Sequence, residues 1–209
     1  MDLKETIERR RSVRHFKPES LPLDDIKEMV RLAGLAPSIN NAQLWKFTAV
    51  TNKDIINNMS NIVNGKISGM LNAQEDKKGE KVKTTVSHFS TVFTDAPVVI
   101  AVQMKPYDAI VDTILEASGL SHDAMNKMRN YPDIQSIGAA IENIMLAATS
   151  MGYGCCWLTG LLVAREELEP ILGVQEPYKL AACIAVGKPL ESLPAREKLP
   201  LESIFEVIE

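Results

Sequence analysis

The first group of residues that could do chemistry is a basic segment near the start of the chain, residues 9–17. It contains five cations and no acid: Arg9, Arg10, Arg11, Arg14 and Lys17. Arginine forks beside the hydroxyl of Ser12 suit a phosphate, because each charge-assisted hydrogen bond is worth about 1.5–3 kcal/mol and a fork can bind two oxygens. A solvated helix face is the alternative, although such a face normally alternates the sign of its charges.

A second group lies in the loop at residues 36–45, APSINNAQLW. Pro37 fixes one backbone angle. The side chains of Ser38, Asn41 and Gln43 offer amides and a hydroxyl that suit the edge of a flat heterocycle. An ordinary Asx-type turn before a strand is the alternative interpretation.

A third group lies near the end of the chain, where Arg196 and Lys198 alternate with other residues. Three prolines between residues 189 and 200 predict an extended arm there rather than a packed element. An extended chain points residues i and i+2 to the same side, so both cations could reach one anion.

Several common chemistries lack their signatures in this sequence. Gly152 and Gly154 follow a helix pattern and lack the third glycine of a dinucleotide fingerprint, and Gly187-Lys188 lacks the rest of a phosphate-binding loop. No GxSxG nucleophile elbow is found. The three histidines are widely spread, so no metal site is expected.

The three cysteines are Cys155, Cys156 and Cys183, an odd number that makes a poor disulfide framework. On a strand the vicinal pair points to opposite faces, so we interpret these residues as small buried hydrophobes rather than a redox couple. A reducing cytoplasm is the expected location.

The composition is that of a globular protein, with 45% apolar and 24% charged residues over 209 residues. The formal net charge of −4 disfavours a general nucleic-acid binder, whose affinity depends on many cations. No secretory signal and no apolar stretch long enough for a membrane span is apparent. No linker divides the chain, so residues 1–209 are expected to form one domain.

Hydrophobic periodicity predicts interleaved helices and strands. Helices are expected from Asp2, after Pro22, over 52–70, from Ile137 and over 165–172. A solvated segment is expected to follow the third helix through Lys83. Strands are expected over 45–50, 98–102, 155–159 and 179–186.

Four segments, taken in order, resemble the flavin-dependent nitroreductases: RRSVRHF at 10–16, APSINNAQLWKF at 36–47, GAAIENIMLAATSMGYGCCWLTG at 138–160 and VGKPLESLPAREKLPLESI at 186–204. The resemblance implies an α+β sandwich, with a central, mostly antiparallel sheet flanked by helices and an extended C-terminal arm. It also implies a homodimer with FMN in two clefts between the subunits, each arm embracing the partner.

The resemblance further implies the role of particular residues. Arg10 and Ser12 would hold the FMN phosphate, with Arg11 as a further contact. Arg14 would lie near the pyrimidine edge of the flavin. The late basic pair, Arg196 and Lys198, would close over the phosphate.

For the flavin ring, the resemblance implies contacts from two segments. The partner subunit would supply Pro37, Ser38, Ile39 and Asn41, with Gln43 nearby. The turn that packs by the ring would be Leu158, Thr159 and Gly160.

Three positions stand apart from the family pattern or lack a firm match. Leu44 stands where the family usually has proline, which changes the stiffness of the loop. Asn61 and Asn64 lie in the region where the family makes further polar contacts with the flavin.

The implied function is an FMN oxidoreductase that takes hydride from NAD(P)H and passes it to a nitroaromatic, a quinone or a similar small aromatic acceptor by a ping-pong scheme. A bound flavin needs no protein nucleophile, which agrees with the missing motifs. Alternatives are a flavin-binding sensor or storage module, other flavin chemistry such as reductive dehalogenation, and a cofactor-free interaction domain.

Overall fold

The computed structural model describes residues 1–71, 77–109, 112, 114, 117 and 119–209. Four strands form its sheet: β1 (Trp45–Val50), β2 (Val98–Met104), β3 (Gly154–Leu158) and β4 (Lys179–Gly187). They are arranged in the order β1-β2-β4-β3, and each neighbouring pair is antiparallel. β1 has the predicted bounds, and the other three strands differ from the predicted ones by one or two residues at their ends.

The two central strands, β2 and β4, are buried on both faces. This explains their continuous apolar sequences, because neither face meets water. Ile100 of β2 lies opposite Ala49 of β1 and Ile184 of β4, so one register runs across the sheet.

Seven helices are found in the described part of the chain: α1 (Leu3–Arg9), α2 (Leu23–Ala33), α3 (Lys53–Leu71), α4 (Lys77–Ser90), α5 (His122–Met128), α6 (Pro132–Ser150) and α7 (Arg165–Ile171). Residues of α2 and α6 share an apolar core with one face of the sheet. Residues of α3 and α7 share a second core with the other face. The expected α+β architecture, a sheet flanked by helices, is therefore confirmed.

Helix α6 begins at Pro132, five residues before the predicted start. Proline is favoured in the first turn because its missing N–H would have no helical partner there. The helix ends at Ser150, and Gly152 follows with a φ of 84° that a side chain would disfavour.

Helix α1 starts as the capping pattern predicts, with the Asp2 carboxylate accepting a hydrogen bond of 2.8 Å from the Glu5 N–H. Its apolar residues, however, lie on the surface: Leu3 is 68% exposed and Ile7 is 55% exposed. The buried residue of this helix is Thr6.

Residues 77–83, at the end of the segment expected to be solvated, form the first part of α4. Lysine and glutamate are good helix formers, so a charged composition does not prevent a helix. The part of that segment at residues 72–76 lies outside the described residues.

The C-terminal arm is extended, as predicted, from residue 188 to Pro200, where a single 3₁₀ turn follows at Leu201–Ser203. Its first residues pair with the basic segment. The Leu190 N–H donates to the His15 carbonyl at 3.0 Å, and the Lys17 N–H donates to the Lys188 carbonyl at 2.9 Å.

Candidate functional site

The basic segment lies against β3, an edge strand of the sheet. The Val13 N–H donates to the Cys155 carbonyl at 2.9 Å, and Ser12 forms a parallel bridge with Cys155. A Cβ atom at residue 154 would lie 2.5 Å from a methyl carbon of Val13, so this close approach requires Gly154. The segment therefore has a fixed path beside β3.

Arg10 is held at its Nε atom, which lies 3.8 Å from Oε1 of Glu142 in α6. Its side chain is only 23% exposed. Within the described residues, the two terminal nitrogens of Arg10 have no hydrogen-bond partner. An arginine fork that is partly buried and unpaired suits an anionic ligand.

Arg14 follows on the same strand edge and donates from Nη1 to the Ser12 carbonyl at 3.3 Å. Both Arg14 and Arg10 lie close enough to Cys156 to favour its thiolate. Burial outweighs them and raises the pKa of Cys156 above its usual value. The cations are thus near β3 without activating this cysteine.

The Arg11 guanidinium donates hydrogen bonds to backbone carbonyls. It donates to Glu8 at 2.6 Å, to Arg10 at 2.9 Å and to Pro194 of the arm at 3.3 Å. These contacts join the end of α1 to the C-terminal arm. This guanidinium therefore has a structural role in the chain.

Arg196 and Lys198 are exposed and have no hydrogen-bond or ion-pair partner among the described residues. Pro194 is in contact with Arg11, and Arg196 follows it two residues later. Two residues of extended chain span about 7 Å, so the backbone of Arg196 starts near the basic segment.

Two cavities lie between the basic segment and the arm. The smaller, of about 120 Å³, is lined by Ser12, Val13, Arg14, His15, Glu191 and Leu193. The larger, of about 470 Å³, has Arg9, Arg11 and Lys17 among its lining residues. Four cations of the segment therefore line one space or the other, with Arg14 and Ser12 at the smaller one, whereas Arg10 lines neither.

The loop before β1 is a tight structure built from left-handed residues. Asn40, Asn41 and Gln43 have φ values of 46°, 53° and 46°. Asparagine tolerates this region better than most residues, because its short side chain bonds locally. The Ser38 hydroxyl accepts a hydrogen bond of 3.1 Å from the Gln43 N–H, which closes the loop.

The polar groups that were predicted to face a ring are accessible. Pro37, Asn41 and Gln43 are exposed, and Ser38 and Ile39 are half-buried. Within the loop, the Gln43 amide lies at the long distances of 3.5 and 3.4 Å from two oxygens of Asn41. These amides therefore keep most of their hydrogen-bonding capacity for another molecule.

Leu44, which stands in place of the usual proline, is 2% exposed. Its carbonyl accepts a hydrogen bond of 2.9 Å from the Lys105 N–H. Gln43 precedes it in the left-handed region, and a proline at position 44 would push Gln43 towards extended conformations. Leucine at this position is therefore compatible with the loop as it is folded.

The turn after β3 consists of buried Leu158, exposed Thr159 and exposed Gly160. A Cβ atom at residue 160 would lie 2.8 Å from the hydroxyl oxygen of Ser90, the last residue of α4. The end of α4 therefore packs directly against this turn.

The structure brings the basic segment and the Leu158–Gly160 turn to the same edge strand, but it keeps the Asn41 loop apart from them. That loop leads into β1, whereas the turn follows β3, and these strands are at opposite edges of the sheet. Three strand spacings of about 4.8 Å separate the two edges by about 14 Å. Asn61 is exposed and Asn64 is half-buried on α3.

Residues that sequence reasoning missed include Glu142 beside Arg10, and Tyr107 and Ser136 beside the loop. The Asn40 amide donates to the Tyr107 hydroxyl at 2.6 Å, and the Ile39 N–H donates to the Ser136 hydroxyl at 3.1 Å. These partners are 67 and 97 residues away along the chain, so no local pattern could have found them.

The cysteines are buried, as predicted: Cys155 and Cys156 point into the two different cores. Burial raises the pKa of Cys155 to about 12, and it raises the pKa of Cys183 to about 12 as well. Their thiols are therefore protonated at neutral pH. The expected cytoplasmic location stays a prediction.

Among the described residues, no cluster of histidine, cysteine, aspartate and glutamate could hold a metal ion. In the same part of the chain, no helix has the length and apolar character to span a bilayer.

The sheet with helices on both faces defines an α+β sandwich. A model of the nitroreductase family matches residues 7–188, and the chain therefore belongs to that family. A BluB-like flavoprotein from Clostridium difficile 630 is 32% identical, with a TM-score of 0.90 and 100% of both chains covered.

Two more distant relatives show the range of the family. The Bacillus subtilis (strain 168) protein YfhC, provisionally named an NAD(P)H nitroreductase, is 23% identical over 203 residues, with 97% of this chain and 92% of the relative covered. An iodotyrosine deiodinase bound to FMN and 3-iodo-L-tyrosine shares the fold, with 20% identity, a TM-score of 0.69, and 100% of this chain and 97% of that chain covered.

Proposed function

We propose that this chain is an FMN-dependent oxidoreductase that uses NAD(P)H to reduce small, electron-poor aromatic molecules. The observation that carries the proposal is the half-buried Arg10, whose terminal nitrogens have no partner among the described residues. Ser12 and Arg14 lie beside it on the edge of β3. Two guanidinium groups and a hydroxyl are a suitable donor set for a phosphate monoester such as the FMN phosphate.

The rest of the cofactor fits the chain in two places. The Leu158–Gly160 turn continues β3, the strand beside which the phosphate donors lie, so a ring lying along β3 would meet its backbone. The exposed amides of Asn41 and Gln43 suit the polar edge of a flavin. Arg196 and Lys198 are accessible to close over the phosphate from the arm.

A single subunit does not form this site, because the Asn41 loop and β3 are at opposite edges of the sheet. In a homodimer, the partner's copy of the loop would lie against β3 of the first subunit, and the two parts of the site would then be next to each other. The arm supports the same assembly, since its apolar side chains are exposed in the isolated chain: Leu199, Leu201, Ile204, Phe205, Val207 and Ile208. Exposed apolar surface of this extent is typical of an interface.

Bound FMN would supply the redox chemistry, namely hydride transfer between NAD(P)H and an acceptor that later occupies the same place. The residues of the chain bind and orient. Arg14 would hold positive charge at the pyrimidine edge, where it favours negative charge on the ring. The unreactive cysteines agree with a site that has no protein nucleophile.

Two classes of acceptor suit an enzyme of this kind. Nitroaromatics and quinones are the leading candidates, in line with the name of the Bacillus relative. Reductive dehalogenation is the second candidate, because a neighbour of the same fold is bound to 3-iodo-L-tyrosine. A sensor or storage module would bind FMN without sustained turnover.

Purification followed by anaerobic assay tests these alternatives. The protein is expected to be yellow, to be dimeric, and to oxidise NADH or NADPH steadily when a nitroaromatic or quinone is added. Turnover with halogenated aromatics alone would favour the second candidate, and bound FMN without turnover would favour the sensor. A colourless protein that ignores added FMN would overturn the proposal.

A matched pair of variants tests the phosphate site itself. Arg10→Ala is expected to weaken FMN binding at least tenfold, because a charge-assisted hydrogen bond is lost. Arg31→Ala is the control, since Arg31 pairs with Glu28 on the exposed face of α2 at 2.7 Å. Equal FMN affinity in both variants would show that Arg10 does not bind the phosphate.

A further inference from the structure

Tyr107 connects the Asn41 loop to the segment that follows β2. Its hydroxyl accepts a hydrogen bond of 2.6 Å from the side-chain amide of Asn40, and the tyrosine is only 6% exposed. Asn40 has φ 46° and ψ 29°, so the bonded amide belongs to a residue in the left-handed region. A directional bond at this residue opposes its return to more common backbone angles.

The tyrosine ring is itself held by charge. The guanidinium carbon of Arg129 lies 5.7 Å from the ring centroid, within the range of a cation–π contact. Both terminal nitrogens of Arg129 bind the Asp112 carboxylate, one of them at 3.3 Å. Asp112 is 6% exposed and also accepts a hydrogen bond of 2.8 Å from the Ala109 N–H.

Both charges of this pair persist at neutral pH. The Arg129 guanidinium lowers the pKa of the Asp112 carboxyl, chiefly by hydrogen bonding, and Asp112 raises the pKa of Arg129 in the same way. The Nε2 atom of the His122 ring lies 3.0 Å from the Tyr107 carbonyl oxygen. Tyr107 therefore has little freedom to move.

A second anchor lies one turn into α6. The Ser136 hydroxyl accepts from the Ile39 N–H at 3.1 Å and donates to the Pro132 carbonyl at 2.7 Å. The loop is thus attached through consecutive residues, Ile39 and Asn40, to elements that lie between residues 107 and 136.

We propose that Tyr107 is a positioning residue, which fixes the loop so that Ser38 and Asn41 present their polar groups to the flavin bound against the partner subunit. This inference rests on the proposed function. It adds that the segment after β2 determines how rigidly the loop is held, and that it does so through Asp112, Arg129 and Tyr107. Tyr107 does so without touching the cofactor.

The test compares Tyr107→Phe with Tyr178→Phe. The first removes only the hydroxyl and keeps the ring under Arg129. The second is a matched control, because Tyr178 is half-buried and its ring contacts Lys46 on the outer strand β1. Apoprotein of each is titrated with FMN, and the midpoint potential of the bound flavin and the thermal unfolding temperature are measured.

Tyr107→Phe is expected to weaken FMN binding about three- to tenfold, as loss of one partly buried hydrogen bond implies. It is also expected to lower the midpoint potential, because loosened donors stabilise negative charge on the ring less well. Tyr178→Phe should match the parent in both.

A hydroxyl that served stability alone would lower the unfolding temperature and leave the affinity and the potential unchanged, and that result overturns the inference. The same holds if both variants behave alike. If the parent protein binds no FMN, the proposed function fails together with the inference, whereas normal FMN binding by the parent and by Tyr107→Phe overturns the inference only.

Discussion

The Nε atom of Arg10 lies 3.8 Å from Oε1 of Glu142, and the two terminal nitrogens of the arginine have no hydrogen-bond partner among the described residues. The carboxylate is 46% exposed and the arginine 23% exposed. An ion pair this open contributes little to stability, at most about 1 kcal/mol. Glu142 is expected to affect the binding of an anion more than it affects stability, because its carboxylate repels any phosphate that Arg10 attracts.

Neutralising Glu142 is therefore expected to tighten phosphate binding. Glu142→Gln keeps the size of the side chain but removes the negative charge, so FMN affinity should rise about two- to threefold at low salt, in line with the worth of exposed charge pairs. The gain should shrink at high salt, where the charges are screened. Fluorescence titration of apoprotein with FMN at two ionic strengths measures both effects.

Glu28→Gln is the control for this prediction. Glu28 pairs with Arg31 on α2, so its loss changes the net charge equally at a distant place. Weaker FMN binding by Glu142→Gln would mean that the carboxylate orients Arg10 more than it repels the phosphate.

The C-terminal arm is expected to be necessary for assembly. Deleting residues 195–209 keeps the contact of Arg11 with Pro194 but removes Arg196, Lys198 and the exposed apolar side chains that follow. The shortened chain should be monomeric by light scattering coupled to gel filtration, and it should lose FMN on dilution. Leu23→Ser, a change to a 60% exposed leucine of α2, serves as the control and should leave the dimer intact. A shortened chain that stayed dimeric with normal FMN affinity would contradict the role of the arm.

Leu44 is expected to resist replacement by the residue usual in the family. Leu44→Pro removes a side chain that is 2% exposed and disfavours the left-handed Gln43 before it, so the free energy of unfolding should fall by about 2–4 kcal/mol. Leu44→Met conserves volume and should cost less than about 1.5 kcal/mol. Urea denaturation of both variants measures the difference. Equal stability of Leu44→Pro and the parent would show that the loop does not depend on the left-handed Gln43.

Much of the fold could be predicted because its signals are local. The apolar sequence of β2 indicates burial on both faces, and the Asp2–Glu5 spacing indicates the start of α1. Local signals do not say what covers a surface. Leu3 and Ile7 have helical spacing and yet lie exposed, because amphipathicity identifies a face of a helix and not its partner.

The candidate site was predictable in its residues but not in their partners. The basic segment has no acid within residues 9–17, yet Arg9 finds Glu5 just before it and Arg10 finds Glu142 in α6. Arg11, which resembles its neighbours in sequence, instead binds three backbone carbonyls. Only the folded chain determines which terminal guanidinium nitrogens are left without a hydrogen-bond partner among the described residues.

Ionisation of the Tyr153 hydroxyl is expected to lower the free energy of unfolding at alkaline pH. Its hydroxyl donates to Asp25 of α2 at 2.5 Å, and this bond, with burial, raises the pKa of Tyr153 to about 12 from an ordinary value of 10.0. Between those values the folded chain retains a proton that the unfolded chain has lost, so the contribution of Tyr153 to the free energy of unfolding is complete below about pH 10 and declines as pH rises towards 12. Tyr153→Phe should flatten this decline in urea denaturation at successive pH values, whereas Tyr178→Phe should retain it. The same slope in both variants would mean that other groups, such as the buried cysteine thiols, cause the loss.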